Sequence, residues 1–168
     1  MTSTSPPTPG PATELVPRCA ARVLLVDGEN RILLFRGRDP ATRDRWWWFT
    51  AGGGVDHGES TRQAASRELS EETGLAVPEA ELGEPVWRDV TVFPFDGRWF
   101  RQEQEFFLVR VPKWEVRTDG WNEVERRTVD EVRWWTAAEL ESTDEQYYPA
   151  ELPALLRRLL HTPADEED

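Results

Sequence analysis

Apolar positions along the chain recur with two periods. Residues 19–27 ("CAARVLLVD") are almost continuously apolar, and residues 31–35 ("RILLF") follow after the turn "GEN". The pair predicts a hairpin of buried strands. Residues 45–54 ("RWWWFTAGGG") read as a short strand entering a glycine loop. Residues 86–93 and 99–111 predict two long strands joined by a turn at "FDGR", where Asp-Gly is a hairpin signal. In "RQEQEFFLV" the alternation puts Gln102 and Gln104 on one face and Glu103 and Glu105 on the other. A last strand is expected over 131–135.

Helical spacing appears in three places. Residues 61–73 start after Ser60, with Gln63 three positions on, and stop before Gly74, which can take the left-handed conformation. Residues 136–142 repeat the capping pattern with Thr136 and Glu139. Residues 149–160 carry Leu152, Leu155, Leu156 and Leu159 at helical spacing. Residues 112–130 fit neither period cleanly. Strands, helix, strands, helix is the order expected of an α/β (α+β) chain, a mixed sheet with helices on its faces.

The ends change this picture little. Residues 1–17 are rich in Pro, Ser and Thr and are expected to be a disordered arm. Residues 162–168 are expected to be an acidic flexible tail, which leaves one domain over 18–161. At 168 residues, 38% of them hydrophobic, the chain can bury one core. It has no apolar run long enough for a membrane span and no signal-peptide pattern. Cys19 stands alone, so no internal disulfide is expected, and a cytoplasmic location is the simplest reading. The net charge of −12 argues against partners such as duplex nucleic acid or anionic membrane. Lys113 is the single lysine among 20 basic residues. The arginine bias suits phosphate recognition, and a GC-rich genome would produce it equally.

The chemistry concentrates on the helix over 61–73. On a helical wheel Glu68, Glu71 and Glu72 fall within an arc of about 100°, bordered by Arg67. Like charges on one face repel, and burying them unpaired costs more still. A solvated acidic face is one reading. The other is a divalent cation held by hard oxygen ligands, with Glu59 ahead of the cap and a backbone carbonyl of Gly52, Gly53 or Gly54 able to approach closely. The alternating Asp/Asn pattern of a calcium loop is absent.

The spacing extends the second reading. Gly53 is followed after five residues by Glu59, and after seven more by Arg67-Glu68-Leu69, then Glu71-Glu72 and Gly74-Leu75. This resembles the box of the Nudix hydrolase family, G-x5-E-x7-R-E-U-x-E-E-x-G-U, at every defined position. One departure lies upstream, where Ala51 stands at a position that is proline in many members. The resemblance implies the Nudix fold, a mixed β-sheet sandwiched between helices. It also implies hydrolysis of a nucleoside diphosphate linked to another group, by water attack at phosphorus with Mg²⁺ or Mn²⁺ as cofactor. Glu59, Glu68, Glu71, Glu72 and the carbonyl of Gly52 are the implied metal ligands. Glu68 is the first candidate for general base and Glu71 the second, and Arg67 would orient a carboxylate, Glu68 or Glu59.

The substrate is less legible. Candidate contacts are Arg36 and Arg38 after the second strand, Trp48 as a base-stacking ring, and Glu105 or Glu125 as an additional downstream carboxylate. Glu103 and Glu123 are alternatives to the last two. His57 reads as a loop residue. A homodimer is compatible with the nine tryptophans, some of which suit an interface. A nucleotide-sensing module without turnover and a hydrolase of a non-nucleotide, isoprenoid diphosphate are the competing functions. The full set of box glutamates favours the enzyme.

Overall fold

The computed structural model describes residues 8–42 and 44–161. Residues 1–7 and the tail 162–168 lie outside the described residues. Seven strands form one mixed sheet: β1 (Leu15–Val26), β2 (Ile32–Arg38), β3 (Trp46–Gly54), β4 (Trp87–Phe95), β5 (Arg98–Arg110), β6 (Val129–Trp135) and β7 (Tyr147–Tyr148). Four helices accompany it: α1 (Thr61–Thr73), α2 (Glu123–Thr128), α3 (Ala137–Ser142) and α4 (Leu152–Leu160).

β1 is the organising strand. It runs parallel to β5 from Leu15↔Trp99 to Val26↔Arg110. On its other side it meets β3 antiparallel from Ala20↔Gly54 to Val23↔Ala51, then β2 at Val26↔Ile32. A parallel neighbour requires a crossover, and the chain between β1 and β5, α1 included, supplies it. Both faces of β1 are covered, which is why its sequence is nearly continuously apolar. Ala21, Val23 and Leu25 pack with Leu33, Phe35 and Ala51 beneath Ala64, Ala65 and Leu69 of α1. Leu24 and Val26 pack on the opposite face with Ile32, Leu34, Trp48 and Trp135 beneath Leu140 of α3 and Leu152, Leu155 and Leu156 of α4. The sheet is therefore sandwiched between helices.

Several expected boundaries shift. β1 begins at Leu15, inside the segment expected to be a disordered arm, because Leu15, Val16 and Pro17 continue the pairing with Trp99, Phe100 and Arg101. β2 runs to Arg38, so Arg36 and Arg38 lie in the strand and not after it; their partners across β3 are Trp48 and Trp46. Gly52, Gly53 and Gly54 are the last residues of β3, not a loop. α4 starts at Leu152 with Pro153 in its first turn, later than the expected 149. The ambiguous segment resolves into an extended loop and the short helix α2, capped by Asn122.

Trp48 is the clearest correction among the expected substrate contacts. It is 2% exposed and meets Trp135 edge-on, with ring centroids 5.0 Å apart and planes at 74°. A ring buried this way is core, and no base can stack on it. Its indole N–H has no hydrogen-bond partner among the described residues, so truncation leaves no orphaned acceptor. Trp48→Ala should cost about 3–5 kcal/mol of stability in denaturant unfolding, the range for a large buried ring. A loss under about 1 kcal/mol, with a raised KM, would return Trp48 to the substrate site.

Candidate active site

α1 is fixed at both ends. Ser60 accepts a hydrogen bond from Gln63 N (3.0 Å) and the Gln63 side chain accepts one from Ser60 N (2.9 Å), so the expected capping box is present. Gly74 adopts φ 77°, and its N–H donates to Ser70 O. Two more carbonyls of the last turn are taken by the 112–122 loop. Trp121 Nε1 donates to Glu72 O, and Trp114 Nε1 and Arg117 N both donate to Thr73 O, each at 2.9 Å. Groups that a helix end leaves unpaired are thereby satisfied beside the acidic residues.

The acidic face is gathered by Arg67. Its Nε and Nη2 grip Glu59 bidentately (2.8 and 2.9 Å), its Nη1 reaches Glu68 (3.0 Å) and Glu71 (3.3 Å), and Nη2 also donates to the carbonyl of Gly54 (3.0 Å). The expectation that Arg67 orients Glu68 or Glu59 is answered by contacts to both. Glu59 also accepts from Asp56 N (3.0 Å), and the Arg67 contact holds its carboxyl below the usual range. Both of its oxygens are committed, so Glu59 anchors Arg67.

Glu72 is different. It is 8% exposed, and Oε2 accepts the N–H of Gly52 at 2.8 Å. Burial pushes its carboxyl well above the usual range, against the pull of that hydrogen bond. Glu68 is raised as well, by burial first, with Arg67 opposing. Glu125 on α2 is raised by burial and then by the charge of Glu68, which places this expected downstream carboxylate in the field of the site. Glu105 lies on β5 with its carboxylate 3.7 Å from Arg88, outside the Arg67 network. Arg36 is neutralised by Asp130 (3.1 Å) and Glu145 (3.8 Å), and Arg38 stacks over Trp46 at 5.3 Å.

The glycines have a steric reason. Gly52 sits at φ 129°, and a Cβ there would overlap the carbonyl of Ala21 and the backbone of Arg22. A Cβ on Gly53 would stand 2.6 Å from Glu68 Oε1. Only bare backbone lets the strand approach the carboxylates this closely.

One residue escaped the sequence reading. Arg22 lies on β1, and its Nη1 donates to the carbonyls of Gly52 (3.1 Å) and Thr50 (3.4 Å), with Nε 3.5 Å from Gln104 Oε1. Burial lowers its pKa, while Glu72 and Glu68 oppose that shift. Behind it stands a polar cluster: Gln102 donates to Gln104, Gln104 to Tyr148, and Tyr148 to Asp89 at 2.5 Å. The available signal was an arginine inside an otherwise apolar strand.

Among the described residues, no group of three or more Asp, Glu, His or Cys side chains is arranged to hold a metal ion as the chain stands. Arg67 holds three of the carboxylates, and the Gly52 N–H holds the fourth. The donor set nonetheless fits a hard divalent cation. Glu68 and Glu72 are desolvated carboxylates whose charge is underbalanced, and the Gly52 carbonyl lies beside them.

Arg67→Ala should destabilise the protein by about 1–3 kcal/mol at pH 7, the worth of charge-assisted hydrogen bonds. Glu59 has a folded pKa below its unfolded value, so this stabilisation is present above the unfolded carboxylate pKa and is lost as pH falls through the folded one. The gap between wild type and variant in thermal melts should therefore narrow towards pH 3. A gap independent of pH would show that Arg67 acts by packing.

The NUDIX domain model matches residues 16–157. An RNA pyrophosphohydrolase of Roseobacter denitrificans is 34% identical over 114 residues, covering 61% of this chain and 68% of the relative. An RNA pyrophosphohydrolase of Erythrobacter litoralis is 29% identical, covering 83% and 80%. Among solved structures, the MutT protein of Methanosarcina mazei shares the fold at TM-score 0.64 and 18% identity, covering 92% of this chain and all of the other. A MutT NUDIX hydrolase of Burkholderia pseudomallei superposes at TM-score 0.59 with 25% identity, covering 83% and 95%. With the box intact and Glu68, Glu71 and Glu72 gathered on α1, the chain belongs to the Nudix family over residues 16–157 and is a Nudix pyrophosphatase.

Proposed function

We propose that the chain is a divalent-metal-dependent pyrophosphohydrolase acting on the 5′ phosphoanhydride of RNA or of a nucleotide derivative. The observation that carries this reading is the set of desolvated carboxylates, Glu68 and Glu72, beside a strand end whose Gly52 N–H binds Glu72 and whose Gly52 carbonyl accepts from Arg22. An anionic diphosphate does not approach such a surface unaided. Glu72, Glu68, Glu71 and the Gly52 carbonyl would hold Mg²⁺ or Mn²⁺, and the bound cation would offset phosphate charge. Arg67 keeps Glu68 and Glu71 aligned. Arg22, above the Gly52 carbonyl, is placed to receive a phosphate oxygen.

In the reaction, the oxygen of water bonds to one phosphorus while the bridging P–O bond breaks, leaving two phosphate products and releasing the water protons. Glu68 accepts the first proton in this scheme, through an oxygen left off the cation, and Glu71 is the second candidate. The names of the relatives support RNA as the substrate class. The coarser alternatives, sensing without turnover and an isoprenoid diphosphate, have no observation in their favour.

Glu72→Gln should lower kcat by more than the roughly 10–100-fold that loss of an outer-shell partner costs, with the melting temperature kept or raised. Near-normal turnover with unaltered metal dependence would overturn the ligand assignment. Metal uptake should also release protons. The folded pKa values of Glu72 and Glu68 lie above the usual carboxylate value, and a cation binds only their ionised forms. Apparent affinity should fall as pH drops from 7 through those raised values. Calorimetry in two buffers of different ionisation enthalpy should give different heats, and equal heats would refute the coupling.

A further inference from the structure

The sheet face that carries Arg22 does not end at the catalytic glycines. Strand alternation puts Arg18 on the same face of β1 and Phe100, Gln102 and Gln104 on that of β5. Phe93 and Phe95 of β4, opposite Phe100 and Arg98, continue it to the hairpin tip. Phe93 and Phe100 stack at 5.7 Å with planes 26° apart, and both are only partly buried. The guanidinium carbons of Arg18 and Arg98 lie 6.0 and 5.7 Å from the centre of the Phe100 ring. Arg18 also reaches back to the site: its Nη2 stands 3.1 Å from where a Cβ of Gly54 would be. Beyond Phe95 the face opens into a groove of about 600 Å³ bordered by Arg38 and Arg127.

The charges on this path are unusual for a chain of net charge −12. Arg36, Arg62, Arg67 and Arg133 are each tied to a carboxylate, whereas Arg18, Arg38, Arg98 and Arg127 have no such ion pair among the described residues. Aromatic rings interleaved with arginines that carry no ion pair, on the sheet face that Arg22 shares, suit a single-stranded polyanion with stacking bases. We propose that the β4–β5 hairpin face is the track of the RNA strand 3′ of the hydrolysed anhydride. A base stacks on the Phe93–Phe100 pair, and Arg18 and Arg98 meet the flanking phosphodiesters. The inference rests on the reading of RNA as substrate and adds the residues that grip the strand.

The test compares 5′-triphosphorylated RNAs of one, two and six nucleotides with wild type, Phe93→Leu and Arg98→Ala. Phe93→Leu keeps apolar volume but loses the ring, and Arg98 is exposed, so its loss spares the fold. Wild-type KM should fall with length. Both variants should raise KM for the six-mer by about 5- to 100-fold, the range for base–aromatic stacking, and leave kcat and the mononucleotide unchanged. Anisotropy of a labelled six-mer with a 5′ hydroxyl should show the same loss without turnover, with the salt slope in Arg98→Ala reduced by about 0.7. Hydrolysis of all three RNAs with a length-independent KM, unaffected by either variant, would overturn the track. Hydrolysis of nucleotides but of no RNA would instead overturn the substrate class on which it rests.

Discussion

Too many carboxylates share one end of one helix, and everything around them answers that electrostatic constraint. Arg67 is inserted among them, and it divides its donors between Glu59, Glu68, Glu71 and the backbone of Gly54. That contact set joins the loop before α1 to the helix face and to the end of β3. Glu72, left out of it, relies on a single backbone N–H. An arrangement with this much uncompensated acid is not built for stability. In the proposed reaction a cation completes this surface, which would tie the fold of residues 52–75 to the chemistry of a diphosphate.

The sheet supplies the second half of the site by splitting the partners of β1. Residues 20–23 pair with the glycine end of β3, while the same strand runs alongside β5 for its whole length. One strand therefore connects the carboxylates to the Gln102–Gln104–Tyr148–Asp89 cluster through Arg22. Helices close both hydrophobic faces, and the polar surface stays where the strands outrun that cover.

Legibility followed the range of the interactions. α1, its capping box and its Gly74 terminus are local matters, and they stood in the sequence to the residue. So did the placing of Glu68, Glu71 and Glu72 on one face, since their spacing is set by one helix. The glycine run misled, because three glycines suggest a loop while here they serve a strand that needs no side chains against Ala21 and Glu68. Trp48 misled for a related reason: proximity to the box said nothing about which face of β3 the ring would take, and strand parity sent it into the core. Arg22 could be noticed as an arginine in an apolar run, but its role depends on β1 lying beside β3, a pairing made across some 30 residues of chain.

The loop over 112–122 donates three hydrogen bonds to two consecutive carbonyls, those of Glu72 and Thr73. Surface connections ordinarily drift in length between relatives because little depends on their path. This one is held in phase with a helix end. An insertion between Trp114 and Trp121 would pull at least one donor off its carbonyl and loosen the turn from which Glu72 projects. The segment that looked least structured in the sequence is thus a ruler, and its length should be as restricted as that of the helix it measures.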